Sequence, residues 1–281
     1  MTDAPTAKAP TLEAKSPFEL RVNLGKDVPE TDVRTALAQG DMGFLHSFTT
    51  GSAVDGPGIR VVGWTTGCMW RCQYCHNPDT WTMRNGIPVS VGNALAEIGK
   101  YRHGLKVMSG GLTISGGEPL LQRLFVFKVL SGAKAMGIHT AIETNGFLGA
   151  EVTDEELGQL DLVLLGIKTW DPARHKALTG RDNQPTLSFA RRLAERRVPI
   201  WVRFVLVPGL TDDAEDMKQI GAFAASLGNV ERLEVLPFHQ MGRFKWHSLG
   251  IRYALEQVEP PTTQAHEAAC RIFRDAGLNA N

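Results

Sequence analysis

The sequence lacks a long apolar run. None of its segments approaches the roughly 18 consecutive apolar residues that a membrane span needs, so no membrane association through a span is expected. It also lacks an excess of either charge: Lys+Arg and Asp+Glu both number 30. That balance gives no general electrostatic reason to bind nucleic acid or a membrane surface. The opening residues, MTDAPTAKAPTLEAKSP, lack the apolar stretch of a secretory signal, so a cytoplasmic location is expected. Cysteine is scarce, at four residues: Cys68, Cys72, Cys75 and Cys270. In a reducing cytosol they are not expected to form structural disulfides. Three of them fall within eight residues, which points to a metal or cluster.

What is present is enough apolar material for one compact domain with an appendage: 43% of 281 residues. Residues 1–40 read as an N-terminal extension, rich in Ala, Pro, Thr and Lys near its start, without a periodic apolar face and expected to be disordered. Within it, residues 30–39 can make a short helix before Gly40. Residues 41–281 form the domain proper. Here short β-branched runs alternate with helical patterns. Strands are expected at Arg60–Thr65, Gly111–Ser115, His139–Glu143, Leu162–Lys168, Ile200–Val207 and Arg232–Pro237. Helices are expected at Val91–Arg102, Leu121–Ala135, Asp154–Leu160, Leu187–Arg196, Asp213–Leu227 and Thr263–Ala276, the fifth opened by Asp212 and Glu215 as a capping box. This is an α/β pattern of parallel units, two short of the eight of a closed TIM barrel. The expectation is a partial (β/α)6 TIM-like barrel with outer helices, an open doubly wound sheet being the alternative. Chemistry then belongs at the C-terminal strand ends. That places Thr66–Gly67, Gly116–Glu118, Glu143–Gly146, Lys168, Pro208–Gly209 and Phe238–His239 around one mouth.

The cysteine loop reads Cys68-Met-Trp-Arg-Cys72-Gln-Tyr-Cys75. Thiolates are soft ligands that select zinc, copper(I) or iron–sulfur clusters. A closed structural zinc site needs four ligands, and only three cysteines are close. Cys270 lies in AACRIF, which reads as an amphipathic helix, and is expected there as a small core residue. Three thiolates on a cubane leave one iron open for a cofactor or substrate. A zinc knuckle completed by His76 is the bland alternative, awkward because Cys75 and His76 are adjacent.

The spacing C-x3-C-x-aromatic-C, with Tyr74 as the aromatic, resembles the signature of the radical S-adenosylmethionine (SAM) superfamily. TISGGEPLLQ (113–122) is similar to that superfamily's glycine-rich segment. VDGPGIR (54–60) and CHNPDTW (75–81) flank the loop. ETNGF (143–147), RFVLVPGLTDD (203–213) and LPFHQMGRFKW (236–246) resemble the activating enzymes of pyruvate formate-lyase in particular. The resemblance runs from about residue 43 to the end and leaves out the first forty residues.

The resemblance implies a 4Fe–4S cluster on Cys68, Cys72 and Cys75, with SAM chelating the remaining iron. It implies SAM contacts from Tyr74, Cys75 and His76 to adenine, from the Gly116-Gly117-Glu118 turn, and from Glu143, Gly166, Lys168, Arg203 and His239. For Arg203, in an otherwise apolar strand, the partner is a carboxylate, that of SAM or of Glu143. One departure stands out. The family places Asp two residues before the lysine, where this chain has Gly166 before Lys168. A monovalent cation that the Asp helps to ligate is therefore doubtful here.

The 41 residues from Cys75 to Gly116 hold no further cysteine, so the ferredoxin-like insert of several other activases is missing. The expected partner is pyruvate formate-lyase, with a flavodoxin or ferredoxin type electron donor and a monomeric activase. Another glycyl-radical activase or a small-molecule radical SAM enzyme is the nearer alternative. A non-catalytic iron–sulfur or zinc module is the distant one.

Overall fold

A computed structural model describes residues 33–281. The order of elements is α1 (Val33–Gln39), β1 (Met42–Ser52), β2 (Arg60–Thr65), β3 (Ile87–Ser90), α2 (Val91–Val107), β4 (Gly111–Gly116), α3 (Arg123–Ala135), β5 (His139–Thr144), α4 (Asp154–Leu157), β6 (Leu162–Gly166), α5 (Pro172–Thr179), α6 (Gln184–Glu195), β7 (Ile200–Leu206), α7 (Ala214–Leu227), β8 (Val230–Pro237), α8 (Arg243–Ser248) and α9 (Thr263–Asp275). One eight-stranded sheet runs β3-β1-β2-β4-β5-β6-β7-β8 and does not close. From β2 to β8 every neighbouring pair is parallel. These six strands are the partial barrel expected from the alternation.

The pleat sorts side chains between two surroundings, because successive residues of a strand face opposite sides. On β6 and β7, Val163, Leu165, Ile200, Val202 and Phe204 join the core beneath the helices. Leu162, Leu164 and Trp201 form a small apolar layer on the other face with Ala141. The same inner face carries Arg60, Glu143, Arg203 and Glu234. Buried charges need partners: Arg203 pairs with Glu143 and Glu234, and Arg60 is satisfied by hydrogen bonds to Thr113, His139 and the Leu112 carbonyl.

Two antiparallel strands add to the expected set. β1 pairs with β2 and β3. Its register shifts at Leu45/Ser47 and Thr50/Ser52 break the period-2 pattern that would reveal a strand. β3 is short, contains Pro88 and sits at the sheet edge, where proline is tolerated. The other edge is partly covered: Leu233 and Val235 of β8 donate backbone hydrogen bonds to Asn279 and Asn281 of the C-terminal tail.

Two helices also lie outside the expected set. α5 begins at Pro172 under an Asp171 cap and ends at Gly180, whose φ is +79°. α8 is only six residues long. The cap of α7 is Asp213, which accepts from the Asp216 amide, rather than Asp212 with Glu215. Asp212 instead accepts from the Gly209 amide in the preceding turn. The expected helix at 30–39 is seen as Val33–Gln39, and residues 1–32, including the expected disordered stretch, lie outside the described residues.

Candidate active site

A cavity of about 230 Å³ opens at the C-terminal end of the parallel strands. Cys68, Cys72 and Cys75 all line it. Their loop is seated from both sides. The Arg71 and Gln73 amides donate to the Thr179 and Leu178 carbonyls at the end of α5, and the Gly67 and Cys68 amides donate to Thr80 and Trp81. From α8, the Trp246 indole donates to the Cys75 carbonyl at 2.8 Å. Lys245 holds Asn77 at 2.8 Å and Asp79 at 3.0 Å. The two helices missing from the sequence reading thus fix the cysteine loop.

The thiols are suited to a cluster. Burial pushes Cys68 and Cys75 up to about 12 and Cys72 up to about 11. Thiols so placed ionise only beside strong positive charge, which bound iron supplies. Among the described residues, no three His, Cys, Asp or Glu side chains converge on a point fit for a single ion. Cys270 is buried in the helix-side core, as expected from its sequence context.

The strand ends bring most of the other expected residues to the same cavity: Tyr74, His76, Gly116, Gly117, Glu143, Gly166, Lys168, Arg203 and His239. Glu118 is the exception. Its buried carboxylate accepts from the Leu120 and Asn145 amides and the Thr144 hydroxyl. Burial pushes its carboxyl up to about 6 against those bonds. The acid braces two loops and does not line the cavity. Thr66, Gly67, Gly146, Pro208 and Gly209 do not line it either.

The glycine turn has a packing reason of its own. A Cβ on Gly116, at φ +125°, would stand 2.2 Å from Thr65 backbone, and one on Gly117 would stand 2.3 Å from the Gly67 carbonyl. Side chains are excluded there whatever ligand approaches.

Arg203 is the electrostatic centre. Its Nη1 lies 2.7 Å from Glu143 and 3.5 Å from Asp55, and its Nε 3.0 Å from Glu234. Nη2 donates to the Val54 carbonyl. Burial opposes the guanidinium charge, yet Glu143, Glu234 and Asp55 keep its pKa above the ordinary value. Glu143, one of the two carboxylates anticipated for Arg203, is in contact with it. Glu143 also accepts from Ser115 at 2.6 Å. Its carboxyl is lowered, Arg203 outweighing burial. Asp55 is raised, by burial first and by Glu143 second.

Lys168 places its amine 5.7 Å from the centre of the Tyr74 ring. Its charge offsets part of the burial effect on Cys72 and Cys75. His239 faces His76, ring centres 5.7 Å apart. Three residues were not singled out from sequence. Asp55 sits in the quoted VDGPGIR segment, where positive φ at Gly56 and Gly58 brings the carboxylate under the barrel. Ser115 and Trp70 carried no spacing signal.

Residues 62–220 match the family model described as the radical SAM superfamily. The chain is 45% identical over 242 residues to the pyruvate formate-lyase-activating enzyme of Staphylococcus epidermidis, covering 84% of this chain and 96% of that one. It is 42% identical over 238 residues to the pyruvate formate-lyase 1-activating enzyme of Escherichia coli K12, covering 84% and 97%. Among solved structures, a domain of pyruvate-formate lyase-activating enzyme from Bacteroides vulgatus superposes with TM-score 0.50 at 27% identity, covering 61% of this chain and 98% of that one. The chain belongs to the radical SAM superfamily and, within it, to the pyruvate formate-lyase-activating enzymes. Its cofactors are a 4Fe–4S cluster and SAM. No helix among the described residues is long and apolar enough to cross a membrane.

Proposed function

We propose that this chain activates a pyruvate formate-lyase by forming a glycyl radical on it. The observation that carries the reading is the convergence of three thiols, Lys168 and the Arg203–Glu143 pair on one cavity. Cys68, Cys72 and Cys75 hold the cluster. Given one electron, the cluster and SAM supply a 5′-deoxyadenosyl radical that takes a hydrogen atom from the Cα of a glycine, leaving methionine, 5′-deoxyadenosine and the glycyl radical.

The protein's own part is binding, orientation and exclusion of water. The Tyr74–His76 backbone and the Tyr74 ring receive the adenine. The Gly116–Gly117 turn offers backbone groups to the amino end of SAM. Lys168 offers the cation for the SAM carboxylate. Glu143, with its charge kept by Arg203, faces the ribose or the amino group. His239 closes the opposite side. The catalytic domain is residues 41–281. The protein works as a monomer in the cytoplasm, with a flavodoxin or ferredoxin type donor.

The test is anaerobic reconstitution with iron, sulfide, SAM, reductant and a pyruvate formate-lyase from the same source, read by EPR. A glycyl radical on the partner, with one 5′-deoxyadenosine per radical, is expected. SAM cleavage that ignores pyruvate formate-lyase and glycine-bearing peptides, but is raised by a small metabolite, overturns the reading.

A further inference from the structure

Trp70 lies between Cys68 and Cys72 and lines the same cavity as the three thiols. It is 1% exposed. Its ring is held edge-to-face by His175 of α5 at 4.9 Å and by Phe147 at 6.3 Å. The ring position is thus fixed by packing. Its indole N–H, however, meets no acceptor in the protein.

Five buried side-chain polar atoms among the described residues lack a partner. Three are amide oxygens, on Asn183, Asn229 and Gln240. The only two groups carrying a hydrogen to donate are the Trp70 indole and the Tyr74 hydroxyl, both inside the cysteine loop. A buried donor without acceptor costs about 1–3 kcal/mol, so native interiors rarely keep one idle. The acceptor chemistry that belongs beside these thiols is sulfur bearing negative charge.

We propose that the Trp70 N–H donates a hydrogen bond to a sulfur of the bound iron–sulfur cluster and raises its reduction potential. The inference rests on the cluster reading and assigns Trp70 a tuning role within it. A donor at sulfur favours the cluster state with more negative charge, which is the reduced one. Trp70 would therefore ease the electron transfer on which SAM cleavage depends.

The test is an EPR-monitored redox titration of reconstituted wild-type and Trp70→Phe protein. Phenylalanine keeps the aromatic packing and removes the N–H. The expected result is a full iron load and a midpoint potential shifted to more negative values. An unchanged potential at full iron load overturns the proposal. A second measurement covers a variant that fails to hold iron. Protein labelled with indole-15N tryptophan is reduced and examined by pulsed EPR for nitrogen coupling to the cluster. The Trp81 side chain hydrogen-bonds the Cys75 thiol and the Trp246 indole the Cys75 carbonyl, so labelled protein carrying both Trp81→Phe and Trp246→Phe is compared. Coupling that persists without Trp81 and Trp246 supports Trp70 as donor, and no coupling there overturns it. A wild-type chain that assembles no cluster overturns the underlying reading as well.

Discussion

Arg203 on β7 reaches Glu143 on β5 across the intervening strand β6, at 2.7 Å. The residue beside Arg203 in the β6 register is Gly166, which has no side chain to stand in the way. One guanidinium thereby ties β7 to β5 and, through Asp55, to the loop that crosses beneath the barrel.

Removing that guanidinium should be costly, because it leaves buried carboxylates unpaired. Arg203→Met is expected to lose about 3–5 kcal/mol in urea unfolding. Glu143→Gln added to it should recover part of the loss, since one orphaned charge is gone. Equal loss in the single and double variants would place the stabilisation elsewhere.

Much of this was legible in the sequence, for stated reasons. The six parallel strands carry regular apolar runs, and the cysteine spacing is a motif. What stayed hidden is what locks the cysteine loop. α5 has a mixed face, burying His175, Leu178 and Thr179, so no apolar stripe announces it. α8 is too short for a period to show. The role of Glu118 depends on where Thr144 and Asn145 fall in three dimensions, and a GGE turn reads alike whether its acid faces a ligand or a neighbouring loop. In the sequence Arg203 asks for a carboxylate, but that Glu143 comes within its reach is set by register.

The cysteines should divide cleanly. Cys270→Ala is expected to keep iron content and the visible bands of the cluster. Cys68→Ser should lose most of both, because two thiolates cannot hold a cubane in place. Iron analysis with visible spectra after anaerobic reconstitution decides. Cluster loss in the Cys270 variant would move that residue from the core into the site.

Asp79 gives a pH dependence. Burial raises its carboxyl, but His46 at 3.0 Å and Lys245 at 3.0 Å outweigh that and hold it below the usual value. An acid whose folded pKa is depressed stabilises the fold above its unfolded pKa, near 3.8, and loses that contribution as pH falls through the folded value. Asp79→Asn should therefore be less stable than wild type at pH 7, by about 1–3 kcal/mol. The gap should close as pH drops below about 4. Unfolding curves at a series of pH values test this. A gap that stays constant down to pH 3 would mean that the carboxylate charge is not what matters.

Gly166 stands where the family resemblance leads one to expect Asp, and Lys168 shows what a glycine there permits. A Cβ at position 166 would stand 2.9 Å from the Lys168 amine and 3.2 Å from its Cε. The lysine therefore folds back into space that a side chain at 166 would claim. Those atoms are the far end of a flexible chain, so Gly166→Asp should be accommodated by moving the amine. The new carboxylate would pair with that amine and lower its availability to the SAM carboxylate. An added monovalent cation can relieve this by binding the new acid. The expected outcome is weaker SAM binding by Gly166→Asp in choline buffer, recovered in part by potassium or sodium. Wild type should bind SAM about equally in all three salts. Calorimetric titration of the reconstituted proteins provides the measurement. Strong potassium dependence in wild type would show that a cation is held there by groups other than residue 166, and that Lys168 does not take its place.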